Sequence, residues 1–173
     1  MKYPVLNFLL FQAAWFGCAL GVGNNLPEIA YTTLFIVISL HLGFSNNRKR
    51  DTQYLIMIAI IGTTVDSALG GLGVLDFHKR WFCPPWLTGL WMAFAATIHY
   101  SLSWLKQRPV LGSVLGAIGG PASYYAGAKF GALQLNPDVL YSLAVLVPVW
   151  SVVVPLMLIL ANDRRGILFC TQK

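Results

Sequence analysis

The rhythm of apolar runs limits this chain more than any single motif. Six of them, 4–22, 28–44, 52–72, 84–105, 110–131 and 138–161, are separated by short polar breaks. A helix that crosses a bilayer needs about 20 mostly apolar residues. In hydrocarbon every backbone amide and carbonyl must find its partner inside the protein, so such runs predict helices. The breaks carry turn and charge signals: "GNNLP" at 23–27, "SNNRKRD" at 45–51, "DFHKRWFCPP" at 76–85, "KQRP" at 106–109 and "QLNP" at 134–137. Four of them end in proline, which suits the first turn of a helix. Only 10% of the residues are charged, against about 25% in soluble domains. The predicted fold is all-α: one polytopic integral membrane bundle of six transmembrane helices spanning residues 1–173.

The cations set an orientation. With the N-terminus inside, Lys2, Arg48, Lys49, Arg50, Lys106, Arg108, Arg164, Arg165 and Lys173 fall on the inner side. Lys79, Arg80 and Lys129 fall on the outer side. That bias predicts both termini in the cytoplasm. It also gives the net charge of +6 a topological meaning, so no nucleic-acid partner is expected. Asn7, Gln12 and Trp15 interrupt the first run and no small-residue cleavage site follows, so it reads as the first membrane helix, not as a signal peptide. Cys18, Cys83 and Cys170 show no CxxC spacing and read as free thiols.

Small residues predict how the helices meet. Gly112, Gly116 and Gly120 recur at steps of four, as do Gly127 and Gly131, and Gly62, Asp66 and Gly70 repeat the device in the third run. Such stripes let helices approach closely, within the chain or against a second copy or another membrane partner. Pro121, Pro148 and Pro155 fall inside runs and remove backbone donors there.

Polar groups within the runs are the candidate site residues. Asp66 stands 14 residues into the third run, roughly 20 Å along a helix. Tyr124 and Tyr125 reach about the same depth, Lys129 lies slightly beyond, and Thr63, Thr64 and Ser67 flank the acid. Gln12, His41 and His99 form a second layer roughly 10 Å from the inner boundary, with Tyr100, Ser101 and Ser103 nearby. A direct Asp66–His99 pair is therefore not the first expectation; protonation, pairing with Lys129 or hydrogen bonds from Tyr and Thr would each lower the cost of burying the acid. A carboxyl near mid-membrane costs about 2.5–3.5 kcal/mol on insertion scales and usually faces the bundle interior. For Asp66 a site role and a structural interhelical bond both remain open. His41, Glu28 and Lys129 read as helix-end residues, and Trp81, Trp86 and Trp104 as an aromatic belt. Trp15, Trp91 and Trp150 lie deeper, where they either line a pocket or fill the core.

Several stretches together carry a resemblance: Asn7 with Gln12-x-x-Trp15, "GTTVDSALGGLG" from Gly62, "PPWLTGLWMAFAATIHYSLSWL" at 84–105 and "GAIGGPASYYAGAKFGAL" at 116–133. They resemble the bacterial membrane proteins of domain-of-unknown-function family 2878. The resemblance implies a small bacterial inner-membrane protein, with an association to membrane-lipid modification and no assigned activity. On that pattern Asn7, Gln12, Trp15, Asp66, Trp86, Trp91, Gly120, Pro121, Tyr124 and Gly127 carry over, while His99 departs from it.

Three functions compete. The leading expectation is a binder of lipid or a small amphiphile in an intramembrane cavity. Asp66, Tyr124, Tyr125, His99, Gln12 and Asn7 would supply polar contacts, and Trp91 and Trp15 apolar ones. An intramembrane lipid-modifying enzyme would need a nucleophile with its base or a metal set. No HExxH, GxSxG or histidine box is present, so no catalytic residue, metal or cofactor is assigned. A proton- or cation-coupled transporter would use Asp66 and would need to be oligomeric.

Overall fold

Local chemistry explains where each helix begins. In the computed structural model, which describes residues 4–78 and 82–162, four helices open on proline: α1 (Pro4–Gly23), α2 (Pro27–Gly43), α4 (Pro85–Ile98) and α5 (Pro109–Lys129). Proline's missing N–H costs nothing in the first turn. The other two helices use side-chain caps. Asn47 accepts from the Arg50 amide at the start of α3 (Arg48–Gly71), and Asp138 accepts from the Leu140 and Tyr141 amides at the start of α6 (Val139–Ala161). A two-residue ribbon, β1 (Leu75–Asp76) with β2 (Gln134–Leu135), joins the α3–α4 and α5–α6 connections at one end. Ser142 and Asn136 tighten it by donating to the carbonyls of Val74 (2.7 Å) and Gly73 (2.8 Å). This is the ribbon end; the opposite end carries Arg48, Lys49, Arg50, Lys106 and Arg108 and is the basic end. Lys2, Lys79, Arg80, Trp81, Arg164, Arg165, Cys170 and Lys173 lie outside the described residues.

Among the described residues the regular structure is all-helical apart from that ribbon. Three helices, α1, α3 and α6, are long and apolar enough to cross a membrane, while α2 and α4 are apolar but shorter. The fourth run behaves differently from its expected span of 84–105. Its helix stops at Ile98, and turns and a 3-10 turn at Ser103–Leu105 follow. The cause is on α1. The Asn7 amide donates to the Ala96 carbonyl at 3.4 Å, and its oxygen accepts from the Ser101 amide (3.3 Å) and hydroxyl (2.8 Å). Non-helical backbone at this depth persists because a buried side chain takes its free polar groups.

The helices pair as α1 with α2, α3 with α4 and α5 with α6, and α4 also packs on α1 and α2. The α5 glycine stripe is used within the chain. A Cβ on Gly112 or Gly116 would come within 2.4 Å of Leu158 and 2.5 Å of the Trp150 carbonyl. Pro155 leaves the Ser151 carbonyl without its helical donor, and Ser113 of α5 supplies one at 2.7 Å. At the centre Trp91 and Trp150 stack at 4.9 Å and 9°. Glycines flank the stack: a Cβ on Gly62 would sit 2.1 Å from the Trp91 ring, and one on Gly120 2.1 Å from the Trp150 ring. Four helices thus meet through two indoles and two missing side chains.

Gly62→Ala and Gly120→Ala should each lower stability by about 1–3 kcal/mol through overpacking. Gly119→Ala, one residue along and with nothing within 4 Å of an added Cβ, should raise it by about 0.5–1 kcal/mol. Unfolding midpoints in mild detergent check the contrast.

Candidate functional site

Asp66 belongs to the buried face of α3, which also carries Leu55, Ile58, Gly62 and Leu69. It is wholly buried. Its Oδ1 accepts from the Tyr124 hydroxyl at 2.5 Å and its Oδ2 from the Trp91 indole N–H at 2.7 Å. The Cys83 thiol lies 3.9 Å from Oδ2. The carboxyl therefore fastens α4 and α5 to α3. The flanking hydroxyls divide: Thr63 meets Thr88 at 2.8 Å, Ser67 accepts from the Cys83 amide at 3.1 Å, and Thr64 returns to its own helix at Ile60. Lys129 does not pair with Asp66. Its ammonium stands 5.2 Å over the Tyr125 ring, on an exposed face of α5. Cys18 and Cys83 are free, buried thiols.

A cavity of ≈ 440 Å³ lies beside this cluster, walled by α1, α4, α5 and α6. Trp91 and Tyr124 form part of its wall, and Asp66 sits behind them rather than facing the space. In this geometry the indole and the phenol stand between Asp66 and the cavity. Gln12 and Trp15 do line the cavity. Trp15 donates to the Ser123 hydroxyl at 2.8 Å, also on the wall, while the buried Trp150 N–H has no hydrogen-bond partner. The remaining surface is almost entirely apolar. Helices α1 and α5 meet at the ribbon end, where a Cβ on Gly23 would strike the Phe130 carbonyl at 1.8 Å, and are joined further along by the Trp15–Ser123 hydrogen bond. Phe16 on α1 and Leu115 on α5 both line the cavity and remain 46% and 42% exposed.

Three expected members stand elsewhere. Asn7 is occupied at the break in α4, Tyr125 points outward, and His99 packs edge-on against Tyr54 with ring centroids 4.6 Å apart. The partners of Asp66 are Tyr124, Trp91 and Cys83, not His99.

Sequence reasoning missed a second buried acid. Asp51 was read as part of a polar break, but α3 starts at Arg48 and draws it into the helix. It is fully buried at the basic end and accepts from Tyr100 (2.6 Å), Ser45 (2.7 Å) and Arg50 (3.1 Å). His41 is buried beside it, with Nε2 3.9 Å from the carboxyl and neither ring nitrogen hydrogen-bonded. A signal existed: Asp51 precedes Tyr54, Leu55 and Ile58 at steps of three, four and seven, in line with the helix's apolar face.

Asp66→Asn should cost about 1–3 kcal/mol, because the NH2 that replaces one carboxyl oxygen donates and cannot accept from the phenol or indole it would face. Tyr124→Phe should cost a similar amount, and the double variant less than the sum, since the two share one bond. A double-mutant cycle by denaturation in detergent reads the coupling.

No curated protein and no solved structure matches the chain. A family model described as "Protein of unknown function (DUF2878)" matches residues 4–156, the stretch that holds the Asp66 cluster, the broken α4 and the cavity. The chain belongs to that family.

Proposed function

We propose that this is a six-span protein of the bacterial inner membrane, both termini cytoplasmic, that holds the apolar chain of a lipid or small amphiphile. The cavity carries the reading. Its volume of ≈ 440 Å³ falls within the about 300–1,000 Å³ of small-molecule sites. Its wall of aromatic, aliphatic and glycine surface offers few polar atoms, so an apolar chain is the matching occupant. The exposed wall residues Phe16 and Leu115 stand where hydrocarbon would lie. Among the described residues, Arg48, Lys49, Arg50, Lys106 and Arg108 gather at one end, which supports placing that end in the cytoplasm. Handing a held lipid to a modifying enzyme is the accessory role that the family resemblance implied.

The transport reading gains nothing from Asp66. Both its oxygens accept hydrogen bonds and it stands behind the cavity wall.

Gly119 lines the cavity with open space where a side chain would grow. Gly119→Phe should fill the cavity and remove a co-purifying lipid seen by mass spectrometry of the wild type, with the fold retained. Asp66→Asn should lower stability yet keep the lipid. Wild-type lipid stoichiometry in folded Gly119→Phe would sink the proposal.

A further inference from the structure

Most hydrogen-bonding groups on the cavity wall are already spent. The Trp15 N–H is committed to Ser123, and the Trp91 N–H and Tyr124 O–H to Asp66. The Trp150 N–H lacks a partner but is itself fully buried. Gln12 differs from all of these. It lines the cavity, is only half-buried, and its amide makes no hydrogen bond among the described residues.

The geometry of α1 turns Gln12 inward. At about 3.6 residues per turn, its direction falls between those of Trp15 and Phe16, one turn farther along, and both of these line the cavity. Helices α1 and α5 run in the same direction, toward the ribbon end, and keep a nearly constant offset. Gly23 lies against Phe130, and Trp15 bonds Ser123, 108 positions later. That offset sets Gln12 level with Gly119 and Gly120, which also line the cavity and put no side chain into it. A Cβ added to Gly119 would meet nothing within 4 Å, so the space across from Gln12 is open.

Charge and depth give the occupant's polar group its chemistry. No Lys, Arg, His, Asp or Glu is among the described residues lining the cavity. An ion there would lie without a counter-charge, which is costly in apolar surroundings. Gln12 stands eight residues beyond Pro4, about 12 Å along α1 from the end opposite the ribbon, too deep for a headgroup that stays in water. Its amide offers two N–H donors and a carbonyl acceptor. Left unpaired in hydrocarbon, such a group carries a desolvation cost that an uncharged polar group on a ligand would offset.

We propose that the cavity's occupant is an uncharged amphiphile whose carbonyl accepts a hydrogen bond from the Gln12 amide, its chain lying along the aromatic wall of Trp15, Phe94 and Trp91. This rests on the chain-binding reading of the cavity and adds the polar contact.

The test is native mass spectrometry of the whole protein in neutral detergent, offered dioleoylglycerol and its diether analogue in equal amounts. The two differ only in the ester carbonyls. The wild type should prefer the diester by about fivefold, the worth of one hydrogen bond. Gln12→Met, which keeps the size of the side chain, should take both alike and hold the diether as the wild type does. Dioleoyl phosphatidic acid, with the same chains and a charged head, should bind less well than dioleoylglycerol. An isoprenoid quinone is offered separately. Tighter binding than the diester, weakened about fivefold by Gln12→Met, supports the carbonyl site with a quinone as its source; weaker binding than the diester leaves the glyceride ester as that source. A diester preference unchanged in Gln12→Met overturns the Gln12 assignment, and a preference for phosphatidic acid overturns the uncharged occupant. Equal binding of diester and diether by the wild type, lost in Gly119→Phe, overturns the carbonyl contact and leaves the cavity reading intact. Undiminished binding in folded Gly119→Phe overturns both.

Discussion

The bundle depends on one carboxyl and the two donors it commands. Asp66 receives the Trp91 indole from α4 and the Tyr124 phenol from α5, so one side chain sets the rotation of two neighbouring helices about α3. Fixing Trp91 fixes the stack, because Trp150 lies flat against it and both rings are seated on glycine. The energetic logic is particular to an apolar setting. Helices gain little there from hydrophobic burial against one another, so close packing and interhelical hydrogen bonds carry more of the specificity. A polar group that would be expensive alone becomes a locating device once its acceptors are filled.

The second constraint is the early end of α4. Asn7 meets three polar groups of the interrupted segment, and this lets the chain turn within the bundle. The turn brings Tyr100 to Asp51 and leaves Leu102 and Leu105 against the cavity. A continuous helix through residue 105 would carry these side chains around its axis and separate them. The basic-end cluster and the lower wall of the cavity are therefore products of one interruption.

The third run was read from 52, whereas α3 begins at Arg48; the starts of α1, α2, α4 and α5 were legible because proline acts over a few residues. The end of α4 was not, since the residue that stops it lies 89 positions away in the chain. Burial of Asp66 could be read from its apolar surroundings. Which side of a cavity wall it occupied could not, because that depends on which rings reach it from other helices. Lys129 was a reasonable partner by depth, but α5 turns it to the face of Tyr125. Asp51 was hidden by three neighbouring cations that made its segment look like a solvated loop, although its spacing to Tyr54 and Ile58 already aligned it with the core.

The near-contact of Gly23 with the Phe130 carbonyl has a mechanical meaning. Helix α5 is seated on α6 along its glycine stripe, and α1 is paired with α2. The two pairs are tied at the ribbon end by this backbone contact and again within the helices by the Trp15–Ser123 hydrogen bond, so α1 cannot part from α5 there without giving up that bond.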